Sequence, residues 1–279
     1  SYSVVVTNAT GSVTSDPAAL TLVGSTPYAG TYFGKLGSGG ISGDFAATIK
    51  SDGNGVMLLH LSSSQTAIIV TDFKVNGDGS FSVNGSVLTA ASTPDRGAAN
   101  ASKNSVSSDA GLVTGFLSPA NGTILGMIGG YNLSLSGTKI TASTSADSAG
   151  FYQAPAVNGT TGAVYTLVAA DGRALIVAQT DGSLEGGVGT AITTNSFVSI
   201  AVTTASGVTV TTTVNASTGA ITASADKGPL AATVFSGLRD DVRRTDRLVN
   251  ISSRSNVSSS ELMIAGFVIA GTAAKKVLI

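Results

Sequence analysis

The chain has 279 residues, enough for one large or two medium domains with real cores, and 42% of them are hydrophobic. Only 11% are charged, against about 25% in an average soluble domain, so Ser, Thr, Asn and Gly must cover most of the surface. A net charge of −1 excludes a basic field for nucleic acid or anionic lipid, the absence of Cys excludes disulfides and thiolate metal sites, and a single His is a thin inventory for an enzyme.

Residues 1–24, SYSVVVTNATGSVTSDPAALTLVG, read as two β-strands and a turn. A start at Ser1 without a leader is the expectation for a processed product. Beyond it, strand signals recur with turn dipeptides between them. AATIK (46–50) leads through SDGNG into VMLLHL (56–61), and TAIIVTDFKV (66–75) through NGDG into SFSVNGSV (80–87). Asn-Gly and Asp-Gly between strands signal hairpins, because type I′ turns need positive φ. Phe73 and Val75 share one face of their strand, and Phe81 and Val83 one face of the next. Residues 89–110 are polar and without period, and are expected to form a long loop. GLVTGFLS, GTILGMIGGYNLSLSG and TKITAS then resume the meander.

A weak internal repeat follows. AGTYFGKLGSGGISGDFAATIKSDGNGVML (29–58) resembles AGFYQAPAVNGTTGAVYTLVAADGRALIV (149–177), with Asp52-Gly53 and Asp171-Gly172 in the same place. A duplicated unit is therefore expected, with halves at 25–145 and 146–236. SFVSIAVTTASGVTVTTTVNASTGAITAS in the second half is almost pure strand and turn. Charge then concentrates in LRDDVRRTDRLVNISSRS (238–255), where Leu238, Val242 and Leu248 suggest a short amphipathic helix in a solvated connector. The longest apolar run, residues 262–274, is shorter than the roughly 20 residues of a membrane-spanning helix and reads as a buried strand pair or a long core strand.

The chemistry is sparse. His60 lies on the strand face opposite Leu59 and Leu61, and its expected role is structural. Asp52, Asp78, Asp171 and Asp181 each precede Gly, where turn geometry accounts for them. The loops SDGNG and NGDGS lack the late bidentate Glu of an EF-hand, since the only Glu residues are Glu185 and Glu261. No pair of carboxylates with aromatic platforms suggests a glycosidase, and the Gly-rich strings have no βαβ context for phosphate. Asn-x-Ser/Thr sequons are numerous, from Asn8 to Asn256, in a chain rich enough in Ser and Thr to make them by chance.

Two segments carry a resemblance. Tyr2-Ser-Val-Val-Val-Thr-Asn followed by a strand ending Ala19-Leu20-Thr21-Leu22-Val23 resembles the last two strands of a bacterial immunoglobulin-like domain, with Tyr2 at the tyrosine-corner position and Val4 where disulfide-bonded members have Cys. RLVNISSRSNVSSSELMIAGFVIAGTAAKKVLI (247–279) is similar to a β-rich module near the C-termini of large secreted bacterial surface proteins. There the chain normally continues further, so the module here is expected to be cut short. The resemblance implies an exported, multidomain surface architecture and supplies no catalytic site.

The expectation is an all-β chain: an antiparallel sandwich or meander barrel of two duplicated halves with an immunoglobulin-like terminal hairpin. The expected units are 1–24, 25–145, 146–236 and a charged connector with a truncated β module at 237–279. A two-stranded hairpin is marginal in water. The expected function is accordingly that of an extracellular or cell-surface structural subunit, not an enzyme, forming head-to-tail homopolymers by strand addition. Tyr2, Val4, Val6, Leu20 and Leu22 of one copy would meet Ile264, Phe267, Ile269, Val277 and Ile279 of the next. The alternative is a monomeric adhesin or binding module with cell-surface or glycan ligands on the 89–110 loop. No cofactor, metal, nucleic acid or membrane span is expected.

Overall fold

A computed structural model describes residues 5–8, 10–14, 16, 25–62, 64–90, 111–142, 146–157, 161–240, 248–252 and 266–269. Every sheet ladder among them is antiparallel. The first two strands, β1 (Val5–Asn8) and β2 (Gly11–Thr14), form a hairpin of their own.

Nine strands then build the first barrel-like sheet. They are β3 (Gly30–Ser38), β4 (Ile41–Ile49), β5 (Asn54–Leu61), β6 (Thr66–Lys74), β7 (Ser80–Asn84), β8 (Ser86–Thr89), β9 (Leu112–Ser118), β10 (Thr123–Ile128) and β11 (Leu133–Lys139). Their order is β7-β9-β10-β11-β3-β4-β5-β6-β8. The two ends of that order, β7 and β8, are separated in the chain by Gly85 alone. One bent segment thus pairs with β9 through its first half and β6 through its second, and the sheet curls round on itself. A Cβ at Gly85 would stand 2.6 Å from the Ile68 side chain, so the corner needs a residue without one.

The hairpin expected between 66–75 and 80–87 therefore forms only in part. Ile69 pairs with Ser86, but β7 turns away to β9 after the NGDG turn. The Phe73 and Phe81 rings still meet inside the sheet, with centroids 5.3 Å apart.

The second unit is a closed eight-stranded barrel in simple meander order: β12 (Gly150–Pro155), β13 (Gly162–Val168), β14 (Arg173–Thr180), β15 (Ser183–Thr194), β16 (Phe197–Thr203), β17 (Thr209–Asn215), β18 (Ala220–Ala225) and β19 (Phe235–Arg239). Closure comes from β19, where Leu238 pairs with both Gln153 and Ala220. Leu238 and Arg239 are thus barrel residues; Asp240, the next residue, is helical, Leu248 is in a strand, and Val242 lies outside the described residues. A last hairpin, β20 (Leu248–Ser252) with β21 (Gly266–Ile269), stands apart.

Each barrel encloses its own apolar core. Tyr32, Phe45, Met57, Leu59, Leu117 and Ile124 fill the first, and Tyr152, Ile176, Ile200, Val214 and Phe235 the second. The alternation of β17 shows how: Val210, Thr212 and Val214 point inward while their neighbours are half-exposed. A third core lies between the barrels. Phe33, Ala46, Val56, Leu58, Ile69 and Leu88 of the first pack on Phe151, Leu167, Leu175, Val177 and Leu184 of the second. Burying each larger aliphatic or aromatic side chain there contributes about 1.5–3 kcal/mol. This contact explains VMLLHL and ALIVAQ, which do not alternate. In β5, Met57, Leu59 and Leu61 face the barrel interior while Val56, Leu58 and His60 face the other barrel, and β14 does the same with Ile176 and Ala178 against Leu175 and Val177. Strands buried on both faces read as continuous apolar runs.

Candidate functional site

Two places gather polar side chains. The first is the seam between the barrels. His60 is 5% exposed and Glu185 8%. The imidazole packs on Gly186, and Oε2 of Glu185 accepts a hydrogen bond of 2.7 Å from the Ser206 hydroxyl. Asp44, paired in register with His60, takes an ion pair from Lys35. Burial pulls the His60 imidazole below the ordinary histidine range, against the opposing pull of the Asp44 and Glu185 carboxylates. Its Nδ1 is buried without a hydrogen-bond partner among the described residues. Nearby, Gln179 Nε2 donates to the Thr89 carbonyl at 2.8 Å, Arg173 stacks its guanidinium 5.5 Å from the Phe33 ring centroid, and Lys50 lies 3.8 Å from Asp240. His60, Glu185 and Gln179 are buried, the Lys50 and Arg173 side chains are 39% and 45% exposed, and Gln179, Arg173 and Lys50 each reach from one barrel to the other. The position of His60 opposite Leu59 and Leu61 is as the sequence suggests.

The second place is the rim of the second barrel. A hollow of about 490 Å³ opens there, lined by Asp147, Asn195, Ser196, Ala216, Ser217 and Arg239. The turn from β15 to β16 supplies Asn195 and Ser196, and the turn from β17 to β18 supplies Ala216 and Ser217. The Ala216 N–H donates to the Ser196 carbonyl at 2.9 Å and holds the two turns together. Arg239 Nη1 donates to the Asp147 carbonyl at 2.8 Å, and its stem crosses Gly150, where a Cβ would stand 2.7 Å from Cδ.

The first barrel has the same rim with a different filling. Its Leu117 N–H donates to the Gly79 carbonyl at 2.9 Å, as Ala216 does to Ser196, and the Lys139 side chain crosses Gly30, as Arg239 crosses Gly150. Tyr28 stoppers that rim: it is 5% exposed, its hydroxyl donates to the Gly77 carbonyl at 3.0 Å, and its ring edge lies against Gly79. Tyr28 stands four residues before Tyr32 and receives that residue's hydroxyl on its carbonyl at 2.9 Å. Ser148, four residues before Tyr152, receives the Tyr152 hydroxyl in the same way at 2.7 Å. Ser148 is 1% exposed and is not among the residues that line the hollow.

The turn aspartates behave as their sequence context implies. Asp52, Asp78 and Asp171 each accept from the backbone N–H two residues on, at 2.9, 2.9 and 3.0 Å. The Ser80 hydroxyl and N–H hold the Asp78 carboxyl below its usual range. Among the described residues no three His, Asp or Glu side chains converge on a metal-sized site, and no helix is long and apolar enough to cross a membrane.

Of the residues expected at an assembly interface, Tyr2, Val4, Leu20, Leu22, Ile264, Val277 and Ile279 lie outside the described residues, as does the 91–110 part of the expected binding loop. Val6 is in β1 opposite Val13, and Phe267 and Ile269 are in β21 opposite Ile251 and Leu248. Neither hairpin pairs with another described strand, and the two do not pair with each other.

Fold and site thus define an all-β protein in which a curled nine-stranded antiparallel sheet packs against a closed eight-stranded barrel. No family model matches the chain, and no curated protein matches it. Among solved structures, a protein of unknown function from the DUF3598 family of Nostoc punctiforme aligns over 78% of this chain and 100% of its own, at 12% identity and a TM-score of 0.19. A likeness that distant carries no argument about either fold or function.

Proposed function

We propose that the chain is a structural module of an extracellular or cell-surface protein, that its two barrels descend from one duplicated unit, and that it assembles with copies of itself by strand addition through its terminal hairpins. The observation that carries the assembly reading is the β1–β2 hairpin. Val5 is 59% exposed and Val13 69%. Val5 sits opposite Thr14 and Val13 opposite Val6, so these two valines lie on opposite faces of the ribbon, and both are largely exposed. A two-stranded ribbon bare on both faces is marginal in water. Strands added to its edges would supply the backbone hydrogen bonds that its outer edges lack, as in the closing strands of an immunoglobulin-like domain. The duplication is supported by the repeated Ala-Gly-x-Tyr entry, the two tyrosine hydroxyls bonded four residues back, the positive φ of Gly53 (85°) and Gly172 (87°), and the basic side chain laid over a glycine in each barrel. The surface reading rests on a composition poor in charge and rich in Ser and Thr.

The test is light scattering after size exclusion on the full chain and on a variant lacking residues 1–24. Polymers of the full chain that are lost on deletion support the reading. A full chain that runs as a monomer of 27.4 kDa, or polymers that survive the deletion, overturn it.

A further inference from the structure

We infer that the interior of the second barrel is a binding site for one small neutral molecule, apolar in its body and carrying a hydroxyl or carbonyl group. An eight-stranded barrel has an interior that large side chains just fill, or that smaller ones leave to one small ligand. The two cores differ in that respect. The first carries five aromatic rings, those of Tyr28, Tyr32, Phe45, Phe73 and Phe81, and one alanine, Ala47. The second carries two rings, Tyr152 and Phe235, and four alanines, and the rest of its wall is mostly valine. Three of the small side chains adjoin, since Ala154 and Ala178 stand on either side of Val164 in the ladder. Leu230, 1% exposed, reaches this core from a 3-10 turn (Pro229–Ala232) between β18 and β19 and not from a strand. It is the side chain that swings for entry, and its departure adds a leucine's volume to the space.

The second observation is polar. Thr166 and Thr212 are 0% exposed, and neither hydroxyl has a hydrogen-bond partner among the described residues. Both point inward. Thr166 is opposite Tyr152 and Ile176, Thr212 is opposite Ile200 and Ala223, and all four partners belong to the second core. Residues directly opposite in a ladder share a face. β13 and β17 are four strands apart in a ring of eight, so the two hydroxyls stand on opposite walls. The tyrosine hydroxyls of the first core are satisfied by contrast, Tyr28 on the Gly77 carbonyl and Tyr32 on the Tyr28 carbonyl. An unpaired buried hydroxyl costs stability, and folds keep such a conflict where the group has a partner to meet. That partner is uncharged. A cation would shed its hydration against an apolar wall, and an anion would in addition meet the Glu185 carboxylate, which is opposite Ala178 and takes the Ser206 hydroxyl at 2.7 Å.

The experiment is saturation-transfer NMR on the full chain with two probes of similar shape, benzyl alcohol and ethylbenzene. Ligands of this size bind with a Kd on the order of 1 mM. Both should bind the wild type. The double variant T166V/T212V keeps the shape of both side chains and removes both hydroxyls. In it benzyl alcohol should weaken by about fivefold, the worth of one neutral hydrogen bond, while ethylbenzene binds as well or better. The unliganded double variant should also melt higher than wild type, because two unpaired hydroxyls leave the core. Three results overturn the assignment: no binding of benzyl alcohol, a change of affinity that is nil or equal for the two probes, or a double variant that melts lower. The last would mean that the hydroxyls already have partners, a buried water among them. All these groups lie inside one barrel, so the outcome is independent of the assembly reading.

Discussion

The seam between the barrels makes a sharp prediction at Gly186. A Cβ placed there would lie 2.7 Å from Cδ2 of His60 and 2.9 Å from Cγ and Nε2, where ordinary contact begins at 3.4 Å. The ring cannot yield freely, because His60 is 5% exposed and sits among the side chains of the third core. G186A should therefore overpack the seam and destabilise the protein by about 1–3 kcal/mol. At roughly 2–4 °C per kcal/mol for a domain of this size, the melting temperature should fall by about 2–12 °C. Urea unfolding of G186A, H60A and the double variant isolates the contact. Removing the imidazole gives the new methyl room, so in the H60A background G186A should cost less than about 0.5 kcal/mol, a coupling of about 1–3 kcal/mol. A neutral G186A, or the same cost with and without the imidazole, would refute the packing described here.

Acid should loosen the same seam. The folded His60 titrates below its unfolded value of about 6.5, so both states hold a neutral ring above that pH, and as pH falls through it the unfolded chain takes up the proton first and stability declines until the folded value is passed. Urea midpoints at about pH 7.5 and 5.5 should differ more for wild type than for H60A, and equal slopes would exclude His60 as the cause. The two buried tyrosines should behave alike: Y32F and Y152F each remove one hydroxyl bond to a carbonyl four residues back, and each should cost about 0.5–1.5 kcal/mol in the same assay. A loss confined to one of them would count against the proposed duplication.

Much of this architecture is written locally. The Asp-Gly turns at 52–53 and 171–172 state their own geometry, because Asp caps the next backbone amides and Gly supplies positive φ. The Ala-Gly-x-Tyr repeat marks the first strand of each barrel. What the sequence does not display is the pairing of distant strands. Closure by β7 and β8 depends on one segment changing partners at Gly85, and nothing in SFSVNGSV distinguishes that from an ordinary hairpin. The same holds for Leu238 and Arg239, whose charged surroundings mask a barrel strand facing solvent on one side. The seam did leave a signal: a solvated strand alternates, and VMLLHL and ALIVAQ do not. Two such runs, one in each repeat, imply two surfaces that need cover. Nothing local announces the hollow, whose lining comes from the 195–196 and 216–217 turns and from Asp147 and Arg239.

Closure also decides where assembly can occur. A strand recruits another only through an edge whose backbone groups are unpaired. In the second barrel β19 returns to β12 and closes the ring, whereas the nine-stranded sheet ends on β7 and β8, each paired along one edge. Among the described residues, unpaired edges are therefore found on β7 and β8, the two halves of one bent segment, and on the strands of the two short hairpins. The barrels are held by three apolar cores, and the hairpins stand outside them. Under the proposed assembly through the hairpins, a strand-breaking Pro in β1 at Thr7, whose backbone lies in the ladder opposite Ser12, should weaken polymer formation while leaving the melting transition of the barrels in place.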